Sequence, residues 1–327
     1  MNAAPSAAVS PPDASRAASL VAALRERLSP AARVTAPAPL AARTTLRVGG
    51  PADVLIEPAD EADLARALRF CHDRGLPWRA LGRGSNLLVR DGGVREWMLR
   101  LGRPAFRQIT VRGNRLFCGA GVPLPLLGAT ACRHGLAGLE FLEGIPGSVG
   151  GALRMNAGAH RAAIFDVVER VRGFDRAGRR HEWTPDRLAP RYRECAFLRD
   201  HLAVEAVFVG RPDDPAAIRR RRETLQARRR RTQPSEPSAG CVFKNPAGRS
   251  AGELIEACGL KGAREGGARV SPRHANFIIN AGGATAADLE RLICRVQQTV
   301  RERAGVDLER EIEILGEHAA PPPCPAP

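Results

Sequence analysis

The chain has 327 residues and carries 50 Lys and Arg against 35 Asp and Glu, a formal net charge of +15. That length exceeds what one hydrophobic core usually supports, so two or three sub-domains are expected, and an excess made almost wholly of Arg suits ligands that bear phosphate or carboxylate. The eight Cys are scattered with no C-x-x-C pair, which argues against a metal site or a disulfide framework; with no secretory leader and no apolar run of ~18 residues, a cytoplasmic, reduced protein without membrane insertion is expected.

In chain order, residues 1–20 are rich in Ala and Pro and are expected to be disordered, as is the tail 317–327. Residues 21–100 form a first sub-domain. In it "DVLIEP" reads as a strand and "DEADLARALRFCHDRG" as a helix, with Asp60 as N-cap, Leu64, Leu68 and Cys71 on one face, and Gly75 as the stop. "PWRALGRGSNLLV" then reads as strand, glycine turn, strand. Residues 101–218 form a second sub-domain, with strands in "QITVRG", "RLFCGAG", "VVERVRGFD" and "AVEAVFVG" and a helix in "PLPLLGATACRHG". The run "RRRRETLQARRRR" makes residues 219–237 a basic helix and connection. A nucleic-acid partner would call for interleaved aromatic residues there, and the run has none, so a solvated face is expected and no nucleic-acid binding. Residues 238–316 make a third unit. Its helix starts at a Thr285/Asp288 capping box, carries a stripe of Leu289, Leu292, Ile293, Val296 and Val300, and stops at Gly305. "VDLEREIEILG" closes it as an alternating strand, Glu309, Glu311 and Glu313 on one face and Leu308, Ile312 and Ile314 on the other.

Two glycine-rich turns follow apolar runs: "LGRGSN", Leu81 to Asn86, and "IPGSVGGALRMNAG", Ile145 to Gly158. Bare backbone with short polar side chains is how a pyrophosphate is cradled. Neither turn is a P-loop, and neither reads as opening a helix in the manner of a G-x-G-x-x-G fingerprint. Together they suggest one extended dinucleotide such as FAD; taken singly, ordinary tight turns explain each as well.

"TTLRVGGPADVLIEP", "ALGRGSNLLV", "GLEFLEGIPGSVGGALRMNAGA", "YRECAF", "SAGCVFKNP", "AGELIEACGLKGAREGGARVSPRHANFIIN" and "LEREIEILG" occur in this order and resemble the motifs of the UDP-N-acetylenolpyruvoylglucosamine reductase family, in its shorter form. The resemblance implies an α+β chain: a two-part FAD-binding domain of the vanillyl-alcohol-oxidase type, followed by an α+β substrate-binding domain. It implies non-covalent FAD, NADPH as hydride donor, a UDP-sugar substrate, and a monomer. Flavin contacts would come from Gly82, Arg83, Gly84, Ser85 and Asn86, then Gly144, Pro146, Gly147, Ser148, Gly150, Gly151, Asn156, Ala157 and Gly158. Arg47 stands between flavin contact and structural turn. Catalysis would fall to Arg193 and Glu311, which face the negative charge developing on the enolpyruvyl group, and to Cys241 as proton donor. Cys241 stands where the family pattern has serine, and its thiol, ordinarily titrating at about 8.5, is the stronger acid of the two. Cys195 and Cys258 read as packing residues. The single Tyr of the chain, Tyr192, together with Lys244, Asn245 and His274, and with Asn276 beside them, would face the substrate. The competing readings are another FAD oxidoreductase acting on an alcohol or hydroxy acid, and a basic nucleic-acid-binding protein.

Overall fold

The computed structural model describes residues 14–319; the disorder expected at 1–13 and 320–327 lies outside the described residues. Residues 14–20 correct that expectation, because they begin a helix, α1 (Ala14–Arg25), whose Val21 and Leu24 are buried in the first core. Residue 317 is also tied down, since the Glu317 N–H donates to the Gly93 carbonyl at 2.9 Å.

The first sub-domain is a four-stranded sheet in the order 33–35, 55–57, 97–99, 78–80, antiparallel at the first pairing and parallel at the other two. Helix α2 (Glu61–Asp73) covers it with Leu64, Leu68 and Cys71. Full burial of such side chains stabilises by about 1.5–3 kcal/mol each. Asp60 accepts from the Asp63 N–H at 2.8 Å, and the helix stops before Gly75 at φ +61°. Asp63 itself has no exposed side-chain surface. It accepts from Ser29 N–H at 2.9 Å and Ser29 Oγ at 2.6 Å, with Ala59 N–H and Arg66 as further donors. Burial alone would raise its pKa, but these donors outweigh burial and hold the carboxyl at about 2.

The second sub-domain is a five-stranded antiparallel sheet in the order 180–183, 168–175, 201–209, 115–119, 109–112. Helices α3 (Leu124–Arg133), α4 (Val149–Arg154) and α5 (Pro185–Leu188) contribute Leu127, Leu153 and Leu188 to its core beside Phe208. One expectation fails here: the second glycine turn does open a helix, the single-turn α4, with Ser148 at its N-cap position.

Helix α6 (Pro215–Thr232) starts earlier than the expected boundary at 218, because Asp214 caps it by accepting from Ala216 and Ala217 N–H at 3.0 and 3.1 Å. The Arg run is only partly a solvated face. Arg222 and Gln226 bond Glu143 at 2.5 and 3.2 Å, and Arg221 bonds Glu140 at 2.8 Å and Asp213 at 2.6 Å. The contacts with Glu140 and Glu143 dock the helix on the segment that precedes the second glycine turn.

The third unit is a three-stranded antiparallel sheet, 264–265, 268–270 and 278–280, packed with α7 (Ala251–Ala257) and α8 (Ala286–Ala304). The capping box is reciprocal, Thr285 Oγ1 accepting from Asp288 N–H and Asp288 Oδ2 from Thr285 N–H, both at 3.0 Å. The expected terminal strand is shorter than its alternation suggests. Only Glu313–Leu315 is a strand, paired in parallel with residues 87–89 of the first sub-domain. Residues 309 and 311 instead bond the loop at 242–244, through Lys244 N–H to Glu309 O and Glu311 N–H to Val242 O, each 2.8 Å.

Candidate active site

The two glycine turns lie against each other. A Cβ on Gly82 would come 3.1 Å from Ser148 Oγ, and one on Gly147 would come 3.3 Å from Ser85 Oγ. Gly84 is required outright: it sits at φ +64°, and a Cβ there would lie 2.4 Å from the Arg43 carbonyl oxygen. Between the turns opens a cleft enclosing about 840 Å³, open solvent included, bordered by Gly82, Arg83, Ser148, Gly150, Gly151 and Arg154 on one side and by Leu99 to Gly102 and His201 to Ala203 on the other. Arg83, Arg100, Arg107 and Arg154 put cationic side chains around it.

Arg193 stands at a corner. The tight turn 191–194 is closed by Arg191 N–H to Glu194 O at 2.7 Å and Glu194 N–H to Arg191 O at 3.1 Å, and it holds Arg193 at φ +58°, a region that non-glycine residues occupy at a cost of order 1 kcal/mol. Asn156 braces this turn by donating Nδ2 to the Arg191 carbonyl at 2.9 Å. The Arg193 guanidinium donates to the Gly158 carbonyl at 3.0 Å and lies 4.9 Å from the centre of the exposed Tyr192 ring. It also meets Glu311, Nε to Oε1 at 3.1 Å.

Cys241 completes the group on a segment without regular structure. Asn276 holds that segment from the core, its Oδ1 accepting from Phe243 N–H at 2.9 Å and its Nδ2 donating to Phe243 O at 2.8 Å. Enclosure by protein pushes the Cys241 thiol up to about 12, the neighbouring Glu311 carboxylate adds to the rise, and Arg193 opposes it. Burial likewise raises Glu311, against the pull of Arg193 and then Lys244. The structure therefore brings Arg193, Cys241 and Glu311 together from three distant stretches of chain. They join the cleft through Arg154, whose carbonyl accepts from Cys195 N–H at 2.9 Å, and through Asn86, whose Nδ2 donates to Glu311 O at 3.0 Å.

The other sequence-derived candidates make the following contacts. The Asn86 side chain donates Nδ2 to the Glu311 carbonyl at 3.0 Å and approaches Met155 Sδ at 3.5 Å. Ala157 packs against the second core, and Gly158 makes room for Arg193, since a Cβ there would lie 3.0 Å from its Nη1. Gly144 sits beside the His160 ring, and Pro146 is exposed. Arg47 adopts φ +59° and donates its N–H to Thr44 O at 3.4 Å, a turn position. Lys244 pairs with Glu309. Asn245 accepts from Ala251 N–H at 3.0 Å, at the start of α7. The His274 ring packs on Phe277 and next to Gly252 of α7, where burial and Lys261 lower its pKa; its contacts are with that side of the third unit. Asn276, expected near the substrate, is the buried clamp already described. Cys195 and Cys258 are buried, as packing residues should be. Sequence reading passed over Arg154, the single cation inside "GALRMNAG", which lines the cleft and donates to Glu313 at 2.9 Å.

A flavin dinucleotide fits these residues. Glycines line the cleft where a Cβ would crowd the opposite turn, arginines suit a diphosphate, and Asn156 Oδ1 is buried without a hydrogen-bond partner in the protein.

Residues 52–184 match the family model described as FAD binding domain, and residues 233–315 match the one described as UDP-N-acetylenolpyruvoylglucosamine reductase, C-terminal domain. The class is thus a flavin-dependent oxidoreductase with an appended C-terminal domain. A UDP-N-acetylenolpyruvoylglucosamine reductase of Methylorubrum extorquens is 47% identical over 86% of this chain and 91% of its own length, and that of Moorella thermoacetica is 47% identical over 85% and 92%. The crystal structure of the reductase from Thermus caldophilus superposes with a TM-score of 0.78 at 40% identity, covering 87% of this chain and all of that one. The chain belongs to the UDP-N-acetylenolpyruvoylglucosamine reductase family.

Proposed function

We propose that this chain reduces the enolpyruvyl ether of UDP-N-acetylglucosamine to UDP-N-acetylmuramate, a cytoplasmic step of peptidoglycan precursor synthesis, with NADPH as hydride source and non-covalent FAD as carrier. The observation that carries the reading is the convergence of Arg193, Glu311 and Cys241 beside the glycine-lined cleft. When bound, FAD supplies a hydride relay, taking hydride from NADPH with release of NADP⁺ and passing it to the terminal carbon of the substrate C=C. Gly82, Ser85, Gly147, Ser148, Gly150 and Gly151 would hold its diphosphate, with Arg83 and Arg154 nearby.

The remaining chemistry belongs to the side chains. Arg193 binds the substrate carboxylate, toward which the electron pair of the C=C moves, and its fixed positive charge stabilises that charge where it develops. Glu311 holds the guanidinium in place. Cys241, still protonated at neutral pH, gives its Sγ–H proton to the α-carbon, and the thiolate left behind recovers a proton from solvent. Tyr192 and Lys244 flank the entry. All three central groups come from one chain.

The test is spectral. The purified protein, reconstituted with FAD, should show flavin absorbance that NADPH bleaches and the enolpyruvyl UDP-sugar restores. A colourless protein that takes up no FAD, or one bleached by NADPH and indifferent to this substrate, would overturn the reading.

A further inference from the structure

Glu311 lies outside every regular element, in the stretch between α8 and the strand Glu313–Leu315. Something must nevertheless aim its carboxylate, because a free peptide at 311 could turn that side chain toward solvent. Two bonds hold the peptide. Its N–H donates to Val242 O at 2.8 Å, one residue from Cys241, and its C=O accepts from Asn86 Nδ2 at 3.0 Å. The next link is again Asn86, whose carbonyl accepts from Glu313 N–H at 3.0 Å, where the parallel pairing with 87–89 begins. Asn86 itself follows Ser85 in the first glycine turn, and its amide is steadied at 3.5 Å from Met155 Sδ, at the end of α4.

We propose that Asn86 is a positioning residue: its side-chain amide ties the flavin turn to the Glu311 peptide and so aims the Glu311 carboxylate at Arg193 and Cys241. The inference rests on the active-site reading above. Asparagine suits the place because the contact needs a neutral donor on a short stem. Aspartate would set a carboxylate against the Glu311 carbonyl, and leucine of similar size would leave that carbonyl without its donor.

The experiment uses the full chain loaded with FAD and compares Asn86→Leu, Asn86→Asp, Glu311→Gln and the double variant Asn86→Leu/Glu311→Gln. Two quantities are read: the rates of the NADPH and substrate half-reactions, and the rate at which iodoacetamide alkylates Cys241 at about pH 9, located by mass spectrometry and needing no turnover. The charged groups facing Cys241 are Glu311 and Arg193, and those facing Glu311 are Arg193 and Lys244. Removing or misdirecting the Glu311 carboxylate should lower the thiol's affinity for its proton and speed alkylation. Glu311→Gln should therefore speed alkylation several-fold and slow the substrate half-reaction. Asn86→Leu should do both in the same direction, slowing the substrate half-reaction about tenfold, the worth of one well-made hydrogen bond, and the NADPH half-reaction less. Asn86→Asp keeps the shape and should slow the substrate half-reaction likewise, which guards against a folding defect peculiar to leucine; because it brings a carboxylate of its own, alkylation is read on Asn86→Leu. In the Glu311→Gln background Asn86→Leu should add less than about twofold, since two residues acting through one group are non-additive. Full additivity, Asn86→Leu with parental alkylation, or either Asn86 variant with the parental substrate rate would overturn the proposal. If Glu311→Gln leaves both quantities unchanged, the active-site reading falls and this inference with it.

Discussion

At Cys241 two opposite expectations meet: a thiol is intrinsically a stronger acid than the family's usual serine, yet enclosure and the Glu311 carboxylate push it up to about 12. The consequence is a thiol that keeps its proton at neutral pH and so can donate it, while resisting alkylation. Cys241→Ala should slow the substrate half-reaction by about 10²–10⁴-fold, the usual worth of a positioned proton donor, with a smaller effect on the NADPH half-reaction. Cys241→Ser should recover part of this. Stopped-flow absorbance at the flavin band measures both, and an alanine variant as fast as its parent would make this thiol a packing residue. Alkylation of Cys241 should be slow at pH 7 and rise steadily through pH 10, where an exposed thiol of pKa about 8.5 would already have levelled off.

Among the elements, α2 shows how a local signal acquires a tertiary duty. Its cap and apolar stripe are readable from spacing, but the role of Asp63 as anchor for Ser29 depends on a segment thirty-four residues away. Because the donors lower the folded carboxyl from 3.8 to about 2, the stabilisation is present above the unfolded value and is lost as pH falls from about 4 through 2. Asp63→Asn should cost roughly 2 kcal/mol at pH 7, since each tenfold change in proton affinity is worth about 1.4 kcal/mol. Urea unfolding at a series of pH values checks this: the variant should lack the parent's extra loss of stability between pH 4 and 2. A parallel pH dependence in the two proteins would show that Asp63 is not the titrating group. In α6 the same layering holds. Composition identifies a basic helix, but not that Glu140 and Glu143 fasten one of its faces beside the second glycine turn.

On the scale of the whole molecule, the C-terminal unit reaches back to the first sub-domain through the strand Glu313–Leu315. Glu313 strengthens that closure by accepting from Arg79 at 2.6 Å and from Arg154 at 2.9 Å, joining all three parts of the chain at one carboxylate. A double-mutant cycle with Glu313→Gln and Arg154→Met should give a coupling free energy of about 0.5–3 kcal/mol in chemical denaturation, the range for residues in one ion-pair network. Additive effects would mean that the Arg154–Glu313 pair adds nothing to the closure.

What the chain's order of residues determined by itself is whatever depends on near neighbours: the capped helices α2 and α8 with their stripes, the left-handed stops at Gly75 and Gly305, and the glycine turns that leave backbone bare. The motifs also named the family and pointed to Arg193, Cys241 and Glu311. Tertiary structure decided the rest, because it turns on partners far apart in sequence. The alternation from Leu308 to Ile314 reads as one strand, yet a strand forms only where residues 87–89 offer a partner, and the stretch before it bonds Val242 and Lys244 instead. Asn86, Asn245 and Asn276 look alike as polar residues in functional motifs. Only the fold shows that their side chains bond the Glu311 carbonyl, the start of α7 and the Phe243 backbone, since an amide is committed by whichever donor or acceptor folding brings within about 3 Å.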